Sequence, residues 1–107
     1  MLLEELTTLM LPHGAEAKRM FGGTAFMLNG NLAIGTRRKT GLIVRVGADA
    51  VPEALARGAT QMVMGARVMK GWVLVDQPAE IAPWVELAVT FNRTLPPEAA
   101  KRRSRIA

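Results

Sequence analysis

The sequence predicts one α+β domain with elements in the order α-β3-α-β2-α, its five strands forming a mainly antiparallel sheet with helices packed on it. Three observations carry this. Leu2, Leu3, Leu6, Leu9 and Met10 recur at helical spacing at the start of the chain, and Trp84, Ala88, Phe91 and Leu95 do so near its end. Between them, Asn29-Gly30 separates two short apolar runs, the strongest local sign of a β-hairpin.

Taken in order, the first helix stops at Pro12-His13-Gly14, and Ala15 to Lys18 reads as a polar connection. Met20 to Leu28 is the first strand, interrupted by Gly22-Gly23, a pair that marks a bulge or the close approach of a packed helix. Asn and Gly tolerate the positive φ that both central residues of a type I′ turn require. A two-residue turn there pairs Met27 with Leu32 and Ala25 with Ile34 on one face, and Phe26 with Ala33 and Thr24 with Gly35 on the other.

Arg37-Arg38-Lys39-Thr40-Gly41 is a loop, and Leu42 to Val46 completes an antiparallel meander. Asp49 is placed to cap a short helix through Arg57, where Pro52 falls in the first turn and Gly58 ends it. Gln61 to Met64 and Trp72 to Val75 are the last two strands, joined through Gly65 to Gly71. The final helix begins near Pro83 and ends at Pro96-Pro97. The domain is expected over 1–97, followed by a short, basic, disordered tail over 98–107. Both faces of the strands carry apolar residues, which calls for either helices on both sides or a dimer through the sheet, with the dimer preferred.

Composition narrows function. At 107 residues the chain is one domain by length. It has no cysteine, which excludes disulfides, thiolate metal sites and thiol nucleophiles. Glu4 and Glu5 interrupt any secretory signal, and the apolar runs are too short to span a bilayer, so a cytoplasmic location without membrane contact is expected. The net charge of +5 is concentrated at the end: without Lys101, Arg102, Arg103 and Arg105 it falls to +1. A nearly neutral body argues less for nucleic acid than the whole-chain charge does.

The run Lys18-Arg19-Met20-Phe21-Gly22-Gly23-Thr24-Ala25-Phe26-Met27-Leu28-Asn29-Gly30 resembles the opening motif of the TfoX/Sxy family N-terminal domain. So do Leu42 to Gly47, Gly65 to Asp76, and Trp84-Val85, and the resemblance extends from about Glu16 to Pro97. It implies a fold like that of the type III secretion chaperones, in the element order already read from periodicity. It also implies a link to regulators of natural competence, which carry a second, helical C-terminal domain. The expectation here is the first domain in stand-alone form, with no catalytic residues carried over.

The residues themselves offer few candidates for chemistry. His13 is the only histidine and Ser104 the only serine, so neither a metal cluster nor a serine nucleophile with its base is expected, and no cofactor. Asp49 and Asp76 read as a helix cap and a strand-end turn residue. The expectation is therefore no enzyme. In a meander, Arg37, Arg38 and Lys39 should lie beside Lys18 and Arg19, forming a cationic rim that Glu16 partly offsets. That rim suits an anion or nucleic acid, but charged loops more often serve as solvated faces. Arg67 and Lys70 in the glycine-flanked loop suit a carboxylate or phosphate, against the plainer reading in which Arg67 pairs with Asp76 or caps carbonyls. Met20, Met27, Met62, Met64 and Met69 read as adaptable packing or as a face for a partner. The preferred reading is a regulatory domain that binds a protein partner or a second copy. A nucleic-acid-associated factor using the rim and tail comes next, and a small-molecule binder or enzyme using Arg45, Arg67 or Lys70 in a pocket last.

Overall fold

The computed structural model describes residues 2–20, 22–38 and 40–96. Phe21, Lys39 and the expected basic tail lie outside these described residues. Helix α1 spans Leu2–Met10 and runs into a 3-10 turn at Leu11–His13 that Gly14 closes at φ 80°. Strands β1 (Glu16–Met20), β2 (Gly23–Leu28), β3 (Asn31–Arg37) and β4 (Gly41–Arg45) follow. A 3-10 turn at Ala48–Ala50 leads into α2 (Val51–Ala56), then β5 (Thr60–Met64), β6 (Arg67–Asp76) and α3 (Ala82–Asn92).

The class is α+β as expected, with six strands where five were predicted. The additional strand is β1. It pairs along its whole length with β2, from Glu16 opposite Met27 to Met20 opposite Gly23. Its residues Glu16 to Arg19 are exposed, so the sequence shows no buried alternation there and reads as a polar loop. The glycine pair therefore serves a hairpin turn. Gly22 adopts φ 74°, and a Cβ on Gly23 would collide with the Thr36 carbonyl of β3, a strand and not the packed helix expected.

All pairings are antiparallel and the strand order is β1-β2-β3-β4-β6-β5. At the Asn29-Gly30 turn both residues take positive φ, 54° and 79°, and Met27 faces Leu32 as read from the turn. Beyond that the register shifts: Phe26 faces Ile34 and Ala25 faces Gly35, one residue later than expected. Ala33 is the extra residue of the bulge, and nothing in its side chain announces it.

The register places Phe26, Ile34, Val44 and Val73 in one row across four strands. This row meets Leu6 and Met10 of α1, Ala54 of α2, and Trp84, Val85, Ala88 and Val89 of α3 in one core cluster. All three helices thus share one sheet face, so the first of the two expected arrangements, helices on both sides, is not adopted. Each fully buried aliphatic side chain there contributes about 1.5–3 kcal/mol.

The opposite face holds a second, smaller apolar layer made by strand residues. Ala25, Gly35, Ile43 and Leu74 form its central row. Ala25 and Ile43 are each 1% exposed, although neither belongs to the helix-side cluster. The surplus apolar character of the strands is therefore mostly used inside the chain. Among the described residues, three of the six exposed large apolar side chains, Val63, Met64 and Val68, group on the β5–β6 hairpin, while Leu3, Leu11 and Leu55 are scattered over α1, the turn after it and α2.

Candidate interaction surfaces

The predicted rim is assembled by the register of the first four strands. Arg19 faces Thr24, and Lys18 faces Ala25, which in turn faces Gly35 on β3. Arg37 is two residues further along β3, opposite Gly41. Lys18, Arg19 and Arg37 consequently lie toward the same end of the sheet. Two strand spacings, about 10 Å, separate β1 from β3. Alternation divides them between faces: Lys18 and Arg37 belong to the face of Ala25 and Ile43, whereas Arg19 belongs to the helix-bearing face. Arg38 follows at the turn with φ 59°, and Lys39 lies outside the described residues.

Beside this rim is a cavity of about 370 Å³, lined by Arg37, Arg38, Thr40, Gly58, Thr60 and Asp76 among others. Thr40 Oγ1 donates to Asp76 Oδ1 at 2.9 Å. That bond corrects one expectation. Asp76 sits at the opposite end of β6 from Arg67 and bonds a threonine of the rim, so it is not the partner of Arg67.

Arg67 and Lys70 are both exposed and stand at the far end of the sheet from the rim. The two cationic places read from the sequence thus stand at opposite ends of the sheet. Arg67 pairs with Met64 at the base of the Gly65-Ala66 turn. Arg67, Val68, Met69, Lys70 and Trp72 line a shallow cavity of about 430 Å³.

The β5–β6 hairpin contains the largest irregularity in the sheet. Gln61 faces Val73, but Val63 faces Val68. One residue, Met62, intervenes on β5 where Met69, Lys70, Gly71 and Trp72 intervene on β6. The extra length bulges on β6, and Gly71 adopts φ 84° within it. The Gly71 carbonyl accepts from the N–H groups of Val46 and Gly47, at 2.9 and 3.0 Å, which fastens the bulge to the end of β4. From the other side Gln61 Nε2 donates to the carbonyls of Met69 at 2.8 Å and Trp72 at 3.0 Å. The Arg45 guanidinium lies 5.2 Å from the Trp72 ring centroid and 5.6 Å from that of Phe91.

Gln61 and Phe91 had no role in the expected site, and Arg45 entered only in the small-molecule reading. A glycine directly before an aromatic strand residue was the available signal for the bulge, but the residue that fills it lies ten positions earlier. Asp49 makes no capping hydrogen bond with its side chain; it occupies the 3-10 turn before α2.

The hairpin, held by a side-chain amide and two backbone bonds, therefore presents Val63, Met64 and Val68 at 50%, 46% and 54% exposure. Arg67 and Lys70 are beside them. The other sheet edge, β1, presents Glu16, Lys18 and Arg19.

No curated protein matches the chain. The profile of the TfoX N-terminal domain matches residues 8–92, a span that runs from within α1 to the last residue of α3 and includes all six strands. The chain belongs to the TfoX N-terminal domain family.

Proposed function

We propose that the domain is a non-catalytic, cytoplasmic interaction module of regulatory type, and that it binds a protein through the β5–β6 hairpin. The supporting observation is the grouping of Val63, Met64 and Val68, each about half exposed, on one hairpin of a sheet whose other apolar residues are largely buried. Exposed apolar groups gathered in one place and rimmed by polar residues mark contact surfaces. Membership of the TfoX N-terminal domain family supports the regulatory sense of the reading, in line with the competence regulators that the sequence resembles.

The test is site-specific photo-cross-linking in cells, with the reactive group at Val68 and a control at Glu86 of α3. The adducted protein is then purified and its affinity measured for wild type and Val68→Glu. Expected is an adduct specific to Val68 and a loss of affinity of about tenfold or more on substitution. Equal labelling at the two positions, or unchanged affinity of Val68→Glu, overturns the reading.

A second reading, contact with a nucleic-acid backbone, draws on Lys18 and Arg37 sharing a face at one end of the sheet, with Arg38 next to the cavity. Its signature is affinity that falls steeply with salt, with the slope reduced by about one for each phosphate contact removed at Arg37 or Arg38. An affinity for duplex DNA that survives Arg37→Ala/Arg38→Ala with its salt slope intact eliminates it.

A further inference from the structure

The two edges of the sheet differ in a way that identifies a partner. An edge strand carries a row of N–H and C=O groups without a neighbouring strand, and folded proteins protect such edges with charge, proline or bulges. The β1 edge is protected by charge. Antiparallel pairing of β1 with its own copy about its central residue would set Lys18 opposite Lys18. The β5 edge, Thr60-Gln61-Met62-Val63-Met64, has no charged residue and no proline. Its irregularity adds no residue to the edge strand, because the extra residues lie on β6 and not on β5.

From these features we infer that β5 pairs antiparallel with β5 of a second copy of this chain, joining two six-stranded sheets about a two-fold axis through Met62. The inference rests on the reading of the hairpin as an interaction surface and specifies what it binds.

The sequence of β5 is self-complementary in this register. Thr60 falls opposite the partner's Met64, and Gln61 opposite the partner's Val63. Met62 meets Met62 of the partner subunit at the axis. No like charges face each other, although the chain carries a net charge of +5. Val63 and Val68, cross-strand neighbours each about half exposed, project on one face, where the Val63 side chains of the two copies become diagonal neighbours across the axis. On the other face Met64 projects at 46% exposure, while Met62 is already buried within its own chain. An isologous contact of this kind closes at two copies, because pairing consumes both β5 edges. A standard interface buries about 800 Å² per partner, more than a five-residue edge supplies, so the dimer is weak and its population follows concentration.

The chain has no cysteine and Val63 is half exposed, so both tests use folded protein. Sedimentation velocity across a concentration series comes first, on wild type, Val63→Lys, Val63→Glu and an equimolar mixture of the two variants. Expected is reversible dimerisation of wild type, at least tenfold weaker self-association of either variant alone, and recovery in the mixture, where opposite charges meet near the axis. Second, Thr60→Cys and Met64→Cys variants are oxidised separately and together. The register predicts a disulfide-linked dimer mainly in the mixture. A wild type that stays monomeric throughout, variants that associate as wild type does, or equal cross-linking in the separate and mixed samples each overturns β5 self-pairing. If wild type is monomeric while the Val68 adduct with another protein persists, the interaction reading stands and only the second copy is ruled out. If dimerisation follows the predicted pattern and no other protein is captured, the hairpin serves self-association alone.

Discussion

The ring of Phe91 rests on Gly47, in the space that a Cβ on that residue would need. Gly47 also has φ 85° and ψ 149°, a backbone region that is essentially reserved for glycine. Its N–H donates to the Gly71 carbonyl at 3.0 Å. The packing of α3 on the sheet and the anchorage of the β6 bulge therefore meet at one residue without a side chain. Gly47→Ala is expected to lower stability by about 3 kcal/mol, combining backbone strain with displacement of the ring. Urea denaturation of Gly47→Ala, Phe91→Ala and the double variant tests this. The double variant should lose less than the sum of the singles, since removing the ring relieves the clash. Strict additivity would show that the contact is not the source of the loss.

Gln61 is the second device holding the bulge, and its chemistry gives a pH-dependent prediction. Its amide donates to two carbonyls of the bulge, those of Met69 and Trp72, and at 3.2 Å to the carbonyl of its own neighbour Met62. Gln61→Leu leaves them without this donor and should cost about 1–3 kcal/mol. Gln61→Glu keeps the shape but presents an ionised carboxylate to carbonyl oxygens. Protonation restores a donor, so the folded state holds that proton more tightly than the unfolded chain does, where the group titrates near about 4.3. The folded-state value is raised. Stability of Gln61→Glu relative to wild type should be highest at acid pH and fall as pH rises through that value. Urea midpoints of both proteins at acid and neutral pH measure it. A gap that does not depend on pH would mean that the side chain no longer faces the carbonyls.

These two residues show where the sequence was legible and where it was not. The helices were readable because Leu6 and Met10, or Trp84 and Ala88, repeat at the spacing of one helix face. The Asn29-Gly30 turn was readable because positive φ at consecutive residues restricts composition. Strand β1 was hidden because an edge strand exposed along Glu16 to Arg19 has no burial pattern to display. The bulge at Ala33 was hidden because any small residue fills it. The rim was legible in part: topology brings Lys18, Arg19 and Arg37 to one end, but the face each occupies depends on register. The Gln61 clamp joins residues through an insertion on the opposite strand, and no local spacing encodes that.

Two buried asparagines fasten the β2–β3 hairpin to the end of α3 and the segment after it. Asn92 Nδ2 donates to the Leu28 carbonyl at 3.2 Å, and Asn31 Nδ2 donates to the Pro96 carbonyl at 2.9 Å. Both side chains are nearly inaccessible, at 3% and 4% exposure. Asn92→Leu is expected to cost about 2 kcal/mol through the lost buried hydrogen bond to the Leu28 carbonyl and overpacking. Asn92→Asp should cost more at neutral pH, because an uncompensated carboxylate would be buried against a carbonyl. Amide hydrogen exchange in the Asn92→Leu protein should quicken first over 28–31 and 92–96. Faster exchange confined to α1 would contradict the tie.

Arg45 connects the bulge to α3 through two aromatic rings, at 5.2 Å from the Trp72 centroid and 5.6 Å from that of Phe91. A cation held against a ring face at such distances is worth about 0.5–2 kcal/mol, depending on how far it is desolvated. The planar guanidinium can lie against both rings, whereas an ammonium is compact and strongly hydrated. Arg45→Met should therefore destabilise by about 1–2 kcal/mol, with Arg45→Lys recovering less than half of the loss. In a Trp84→Phe background Trp72 is the sole indole, and its emission reports the contact directly. Both Arg45 variants should shift that emission while leaving the far-ultraviolet circular dichroism unchanged. If Arg45→Lys matches wild type in emission and urea midpoint, charge alone suffices, and the stacked geometry is not what joins the hairpin to α3.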